Sequence, residues 1–417
     1  MKNTLIDVVA IVDGASTSAH LAPAFRACNV KCVHVMSSSA LPERLKQQIT
    51  ATDYIANIVH QGNTEETARE LSEMDVSVIL PGVDSGVELA SLLAEKMQLT
   101  WRNPVGLTRA RRDKFEQIET IRRAGLQAPE QYLAQTPEAI VQWANQYGRF
   151  PVVVKPIRSS GVKGVKVCRT PEEVRLAANT ILSSTSSYDE AQEDILIQSY
   201  SQGQEYIVDS VSFAGKHRII SLWQVERDHT MTPRLEIMQV IDHGEEQYAP
   251  ILDYARQVLD ATGMHYGPAH LELIVTESGP TIVELNCRLH GSLDPRLTSA
   301  ACGVNQVNAV VEAFINPAHF SATLDVSPSF YGYCGHVLLL SPGEGTLSRE
   351  FAWDKIEALP SCVSVKRWIK VGDRLTKTVD LRTALGAAGL FHPCAEQIRK
   401  DWRAIREIEN AFFAMGC

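Results

Sequence analysis

The sequence predicts a mixed α/β and α+β protein that begins with a parallel sheet. Short β-branched runs alternate with helical segments through residues 1–100, and this alternation is typical of a parallel sheet with helices on both faces. Through residues 195–227, short strands follow one another and predict antiparallel pairing. The apolar runs HLELIV and PTIVELN, joined by the turn-like TESGP, predict a β-hairpin.

The first four strands are predicted in IDVVAIVD, KCVHVM, DYIANIVH and VSVILPG, with helices between them. Ligands bind parallel sheets of this kind at the carboxyl ends of the strands. The loops at residues 13–18 and 82–85 are therefore candidate substrate contacts. Neither loop contains a GxGxxG sequence, so a dinucleotide site has no support.

The pattern of predicted secondary structure changes after this region. A basic helix, LTRARRDKFEQIETIRRAG, leads to FPVVVKPIRSSGVKGVKVCRT, which predicts a strand, a glycine-containing loop and a second strand. The helix YAPILDYARQVLDATG precedes the hairpin, and the remaining residues predict a smaller α+β unit. The expected domains are residues 1–110 (N-terminal α/β), 111–315 (central, with subdomains of about 111–195 and about 196–315) and 316–417 (C-terminal α+β).

The composition argues against several classes of function. The formal net charge is −9 and no long run of Lys or Arg occurs, so a nucleic-acid partner is not expected. The nine cysteines are scattered without a CxxC pair, which indicates a reducing, cytoplasmic compartment and argues against a zinc site. No stretch approaches the ~18–20 apolar residues of a membrane span, so no membrane partner is expected.

The predicted hairpin carries two acids, Glu272 on one arm and Glu284 on the other, with Asn286 just beyond. Because side chains alternate along a strand, both acids can lie on one face. Two carboxylates and an amide oxygen form a hard-oxygen site suited to Mg²⁺. The alternative is a solvated hairpin with ordinary surface acids.

Lys155 ends a β-branched strand and precedes a loop rich in serine and glycine at residues 159–164. Backbone N–H groups at glycine can approach an anion closely, so the loop could cover phosphates. A plain hairpin turn with exposed lysines is the alternative. Glu205 follows the strand LIQSY, whose edge could pair with adenine, and could accept hydrogen bonds from ribose hydroxyls. An ordinary cross-strand acid is the alternative there.

Taken together, these motifs resemble the ATP-grasp superfamily. The order is DK (Asp113, Lys114), VVVKP with its Ser/Gly loop, Q-S-Y-x2-G-x-E, H-L-E-L and E-L-N-x-R, all within residues 113–291. The segment ILPGVDSGVELA and the C-terminal unit make the L-amino acid ligases (dipeptide synthetases) the most similar members. The resemblance implies an ATP-grasp fold with an N-terminal Rossmann-like parallel-sheet domain and a C-terminal α+β lid or appendage.

The resemblance also implies a role for each motif residue. The ATP contacts would be Lys114, Lys155, Ser159, Ser160, Gly161, Gly164, Gln198, Ser199, Tyr200, Ser201 and Glu205. Two Mg²⁺ ions, with Mn²⁺ as a substitute, would be held by Glu272, Glu284 and Asn286. The catalytic residues would be Arg288, Lys155 and His290. The weaker substrate candidates are Ser85, Glu88, Glu236, Arg288, Gly291, Ser292 and Leu293.

Three positions leave the implied roles open. Gln198 stands where relatives often carry glutamate, which makes the adenine contact there less certain. His290 stands where the family commonly has a small residue or glycine; it could face the substrate or pack beneath the loop. Glu236 could take the α-amino group of the first amino acid.

The activity implied is that of an ATP-dependent carboxylate–amine ligase. It would join L-amino acids through an acyl phosphate, with release of ADP and phosphate. The partners would be small-molecule amino acids, and a homodimer is compatible with the resemblance. The alternatives are a carboxylase-like or carbamoyl-phosphate-like ligase and a non-catalytic nucleotide-binding protein.

Overall fold

The structure is a computed structural model that describes residues 6–157, 164–184, 192–227, 235–324, 326 and 329–414. The predicted loop residues Ser159, Ser160 and Gly161 lie outside these described residues. The predicted domain boundaries stay a prediction.

The N-terminal region contains a four-stranded parallel sheet, as the alternation of strands and helices predicted. Its strands are β1 (Val8–Val12), β2 (Lys31–Met36), β3 (Ala56–Val59) and β4 (Val76–Pro81). Its helices are α1 (Leu21–Ala27), α2 (Glu43–Lys46), α3 (Thr64–Glu73) and α4 (Val87–Lys96). The strand order β3-β2-β1-β4 places the change of winding direction between β1 and β4. The loops 13–18 and 82–85 follow these two strands, at the crevice where such sheets bind ligands.

A small antiparallel sheet follows the basic helix. The elements are α5 (Lys114–Arg123), β5 (Gln131–Ala134), α6 (Pro137–Tyr147), β6 (Val152–Pro156), β7 (Lys166–Cys168), α7 (Pro171–Leu182) and β8 (Ile195–Ser199). The strand order is β5-β8-β6-β7. Apolar residues of α6 and α7, among them Ile140 and Val174, pack with Val154 of β6 in one buried cluster. The two helices therefore cover one face of this sheet.

The third sheet has eight strands and joins the central and C-terminal parts of the chain. The strands of this part are β9 (Gln204–Phe213), β10 (Lys216–Arg227), β11 (Leu235–Ile241), β12 (Gly267–Thr276), β13 (Gly279–Asn286), β14 (Tyr333–Leu339), β15 (Gly345–Thr346), β16 (Cys362–Arg367), β17 (Arg374–Leu375) and β18 (Gly386–His392). The sheet order is β13-β12-β9-β10-β11-β14-β18-β16, while β15 and β17 pair separately. Because β14 pairs with β11, the C-terminal strands extend the central sheet.

Helices cover this large sheet. They are α8 (Ala249–Ala261), α9 (Pro295–Cys302), α10 (Gln306–Ile315), α11 (Pro317–Ala322), α12 (Trp353–Glu357) and α13 (Ala395–Ala414). Residues of α8, including Val258 and Leu259, pack with Leu271 of β12 and Leu285 of β13. This packing supports the hairpin that carries the two predicted metal-binding acids. Within the described ranges, no helix combines the length and apolar character needed to cross a membrane.

Candidate active site

One cavity of about 810 Å³ brings together residues from the N-terminal region, the small antiparallel sheet and the eight-stranded sheet. The N-terminal region contributes Asp84, the small sheet contributes Lys155, and the large sheet contributes Glu272 and Glu284. The volume lies in the range of pockets that enclose small ligands. Side chains that are far apart in sequence therefore face the same space.

The hairpin of β12 and β13 sets the positions of the two acids. The strands pair antiparallel with Glu272 directly across from Glu284, so both carboxylates lie on one face as predicted. Glu284 Oε1 lies 2.8 Å from the Nζ atom of Lys114. The Asn286 amide nitrogen donates to Asp84 Oδ1 at 3.2 Å and to Glu284 Oε1 at 3.3 Å. The two carboxylates on one face fit a hard divalent cation such as Mg²⁺, and a turn of the Asn286 amide would present its oxygen as a further ligand.

Lys114 is held against Glu284 by the start of α5. The carboxylate of Asp113 accepts hydrogen bonds from the backbone N–H groups of the next turn and caps the helix. One turn further, buried Gln117 donates to the backbone oxygen of Leu285 at 2.8 Å and accepts from its N–H at 2.7 Å. The DK motif therefore has a structural part, the cap, and a cationic part that reaches the cavity.

Lys155 is only 5% exposed and projects from β6 into the cavity. Burial, opposed by Glu284 and reinforced by Lys114, lowers the pKa of its ammonium group to about 8. Burial also opposes ionisation of Glu272. The hydrogen bond and the charge of His270 outweigh that effect and lower the pKa of Glu272 to about 2. The site therefore has cationic and anionic groups in close proximity, as binding of a metal and phosphates requires.

The predicted adenine and ribose residues also line this cavity. They are Gln198, Ser199, Tyr200, Ser201 and Glu205. Buried Gln198 donates from Nε2 to Gln131 Oε1 at 2.9 Å, so this amide is held by its neighbour on β5. The carboxylate of Glu205 accepts from Arg227 Nε and Nη2, both at 2.6 Å. Gly164 has a φ of +79°, in the region that favours glycine, at the end of the Ser/Gly loop.

Arg288 is paired with a residue that sequence reasoning did not single out. Its Nε lies 3.1 Å from Asp84 Oδ1 and its Nη2 lies 3.4 Å from Asp84 Oδ2. Burial works against the charge of Asp84, but Arg288 outweighs it and lowers the pKa of that carboxyl group. The two residues are 204 positions apart. The only sequence signal for Asp84 was its place in the loop 82–85.

A buried polar cluster lies beside the hairpin acids. Asp209 of β9 accepts from His270 Nδ1 and His290 Nδ1, each at 3.0 Å, and from Trp223 Nε1 at 2.8 Å. His270 Nε2 lies 3.5 Å from Glu272 Oε1. Sequence reasoning missed Asp209 and His270. An acid inside the apolar run IVDSVS and a histidine two residues before Glu272 were the available signals.

The predicted substrate residues divide into two groups. Arg288, Gly291 and Ser292 line the cavity. Ser85, Glu88, Glu236 and Leu293 do not.

The four predicted substrate residues outside the cavity have other contacts or surroundings. Ser85 donates to Asp13 at 2.5 Å, and Glu88 points to solvent from the first turn of α4. Glu236 forms an ion pair with Arg406 of α13 at 3.0 Å. The pairing of β10 with β11 skips Glu236, and this irregularity turns its side chain away from the cavity. Leu293 is buried in a core cluster.

Cavity residues that the sequence did not suggest come from two further places. Arg44 and Gln48 reach it from α2 and the turn after it, and Asp380 and Arg382 reach it from the C-terminal region. Their distance in sequence from the motifs explains why no pattern pointed to them.

Comparison with known proteins agrees with this arrangement. Residues 148–295 match the family model described as the ATP-grasp domain. Dapdiamide A synthase from Enterobacter agglomerans is 28% identical over 417 residues, covering 98% of this chain and 97% of that protein.

Two solved structures show the same fold. L-amino acid ligase from Bacillus licheniformis has a TM-score of 0.77 at 15% identity and covers 97% of this chain and 98% of its own. A carboxyaminoimidazole ribonucleotide synthase from Aspergillus clavatus, solved with ATP, has a TM-score of 0.72 at 13% identity and covers 99% of this chain and 100% of its own. The predicted ATP-grasp resemblance is thus confirmed. The chain carries an ATP-grasp domain and is an enzyme similar to the ligases of that superfamily.

Proposed function

We propose that the enzyme joins the carboxylate of one amino acid to the amino group of another, with ATP converted to ADP and phosphate. The arrangement of Lys114, Lys155, Glu272, Glu284 and Arg288 around one cavity is the observation that carries this proposal. The name of the Bacillus licheniformis protein, an L-amino acid ligase, supports amino acids as the substrate class.

The charges in the cavity support a first step in which a carboxylate attacks the terminal phosphate of ATP. Both reactants are anions, so their approach needs cations close by. Lys155 and Lys114 supply two of these cations at the phosphates. Glu272, Glu284 and Asn286 would hold Mg²⁺, which supplies further charge neutralisation when bound. The product of this step is an acyl phosphate, and the protein contributes mainly positioning and charge.

Arg288 supports the second step, in which an amine attacks the acyl phosphate. The carbonyl oxygen gains negative charge as the amine adds, and a guanidinium group is a suitable donor for that charge. Asp84 holds the guanidinium by two contacts and so restricts its orientation. Exclusion of water from the cavity during the reaction would protect the acyl phosphate from hydrolysis.

The test is ADP formation by the purified protein with Mg²⁺ and ATP. The twenty amino acids are supplied singly and in pairs, and products are identified by mass spectrometry. We expect ADP, phosphate and a dipeptide in equal amounts for the correct pair. ADP formation that depends on bicarbonate instead would favour a carboxylase-like enzyme, and nucleotide binding without turnover would favour a non-catalytic protein. Either result would contradict the proposal.

A further inference from the structure

His290 forms a buried pair with a carboxylate at the wall of the cavity. The residue is 5% exposed, its Nδ1 lies 3.0 Å from Asp209 Oδ2, and its backbone N–H donates to Gln306 Oε1 at 2.9 Å. The ring of Trp223 stands nearly perpendicular to it, with centroids 5.6 Å apart. The orientation of the imidazole is therefore set from several sides.

Asp209 is itself held in place. It accepts from Ser221 Oγ at 2.9 Å and Trp223 Nε1 at 2.8 Å, and its other oxygen accepts from His270. Burial opposes its charge, but His290 and His270 hold the pKa of Asp209 well below its usual range. An ionised carboxylate at Nδ1 selects the imidazole tautomer that carries its proton there.

The remaining ring nitrogen, Nε2, then carries a lone pair. His290 lines the cavity together with Gly291, Ser292 and Arg288. No group among the described residues hydrogen-bonds to Nε2. The nitrogen that can accept a proton is thus the one not engaged by Asp209.

We propose that the Asp209–His290 pair is the general base that takes the proton from the attacking amine. This inference rests on the ligation proposed above and adds a residue to its second step. The geometry matches the arrangement in which a carboxylate orients a histidine and stabilises its protonated form.

Atoms and charge are conserved in this step. The uncharged amine attacks the carbonyl carbon of the acyl phosphate, a C–N bond forms, and the nitrogen becomes positively charged. The C–O bond to phosphate breaks, and its electron pair leaves on the phosphate oxygen. The nitrogen gives its extra proton to His290 Nε2, and Asp209 stabilises the imidazolium. The proton then passes to the departing phosphate, which leaves as hydrogen phosphate and restores neutral His290.

The charged neighbours of His290 keep it ready to accept a proton. Burial is the largest influence and lowers its pKa; Asp209 opposes this, and His270 and Arg288 reinforce it. Buried His336 of β14 has its pKa lowered to about 3, mainly by burial, so it adds no positive charge at neutral pH. His290 is therefore uncharged at neutral pH and becomes charged only as the pH falls.

The test compares two nucleophiles in the wild-type enzyme and in His290→Asn. Asparagine keeps a donor for Asp209 but has no nitrogen equivalent to Nε2. Hydroxylamine is uncharged at neutral pH and traps acyl phosphates as hydroxamates with little need for a base. We expect His290→Asn to keep hydroxamate formation within a few-fold and to lose amide formation by about 10²-fold or more. The rate of amide formation by the wild type should fall at acidic pH, where His290 is protonated. The residual rate of His290→Asn should not show this fall.

Two further variants complete the test. His217→Asn is a matched control, because His217 is also buried and lies 3.1 Å from a carboxylate, Asp260, but does not line the cavity. It should behave like wild type. His290→Ala should regain part of its amide formation when imidazole is added.

The outcomes separate this inference from the proposed ligation. Full amide formation by His290→Asn, or equal loss of amide and hydroxamate, would overturn the general-base role and leave the ligation intact. A wild-type enzyme that makes neither amide nor hydroxamate from any amino acid would overturn the ligation itself.

Discussion

Replacement of Lys155 by methionine should make the protein more stable and a weaker nucleotide binder. Lys155 is 5% exposed, and burial lowers the pKa of its ammonium group from 10.5 to about 8. At about 1.4 kcal/mol per tenfold change in proton affinity, this fall corresponds to about 3 kcal/mol. That is the free energy by which the charged ammonium group destabilises the folded state at neutral pH. Methionine has a similar length and no charge, so about 3 kcal/mol is an upper limit for the gain.

The pH dependence provides an independent check of the cause. The folded-state pKa of about 8 lies below the unfolded value, so the unfolded state binds more protons between the two. The stability contributed by Lys155 should therefore increase as the pH rises from about 8 toward the unfolded value. Below about pH 8 the penalty is fully present. The variant should lack this increase.

The assay is denaturant unfolding of the wild type and Lys155→Met, at neutral pH and well above pH 8, with calorimetric measurement of ADP binding. Lys400→Met, at an exposed position on α13, is the control and should change little. We expect a more stable variant at neutral pH, a smaller difference at high pH, and a clear loss of ADP affinity. A variant less stable than wild type, or a difference independent of pH, would refute the burial argument.

Three further predictions concern the site. Glu284→Gln should abolish ADP formation with an unchanged circular dichroism spectrum, because one carboxylate of the proposed cation site is lost. Glu277→Gln, in the exposed turn of the same hairpin, should stay active. Full activity of Glu284→Gln would contradict the metal assignment. Arg288→Lys should retain ADP affinity and lose product formation by about 10²–10³-fold, measured by mass spectrometry; an unchanged rate would remove the oxyanion role. Gly203→Ala should lower the melting temperature and ADP affinity, because a Cβ there would lie 1.9 Å from the carbonyl oxygen of Val275, and a wild-type melting curve would contradict this.

Most of the structural features that the sequence predicted depend on local periodicity. The two-residue period of β12 and β13 was sufficient to place Glu272 and Glu284 on one face, and the register has them directly opposite. The alternation of strands and helices predicted the parallel sheet, and with it the loops that follow β1 and β4. These features depend on neighbours in sequence.

Features that depend on distant segments could not be predicted in this way. Asp84 lies beside Arg288 only because the N-terminal sheet packs next to the hairpin. Asp209 lies between two histidines because β9 pairs with β12. No spacing in the sequence encodes either contact.

The position of Glu236 shows a second limit of sequence patterns. The pairing of β10 with β11 passes from Ile237 to Leu235, so Glu236 has no partner in the register. A slip of one residue moves a side chain to the other face of a strand. Glu236 therefore meets Arg406, and the sequence alone gave no sign of the irregularity.

Transfer of oxygen from the substrate carboxylate to phosphate tests the central claim most directly. An amino acid labelled with ¹⁸O in its carboxyl group is turned over with ATP, Mg²⁺ and the second amino acid, and the phosphate released is analysed by mass spectrometry. If the carboxylate attacks the terminal phosphate of ATP, each molecule of phosphate should carry one ¹⁸O atom. Unlabelled phosphate formed together with the amide product would contradict the acyl phosphate route.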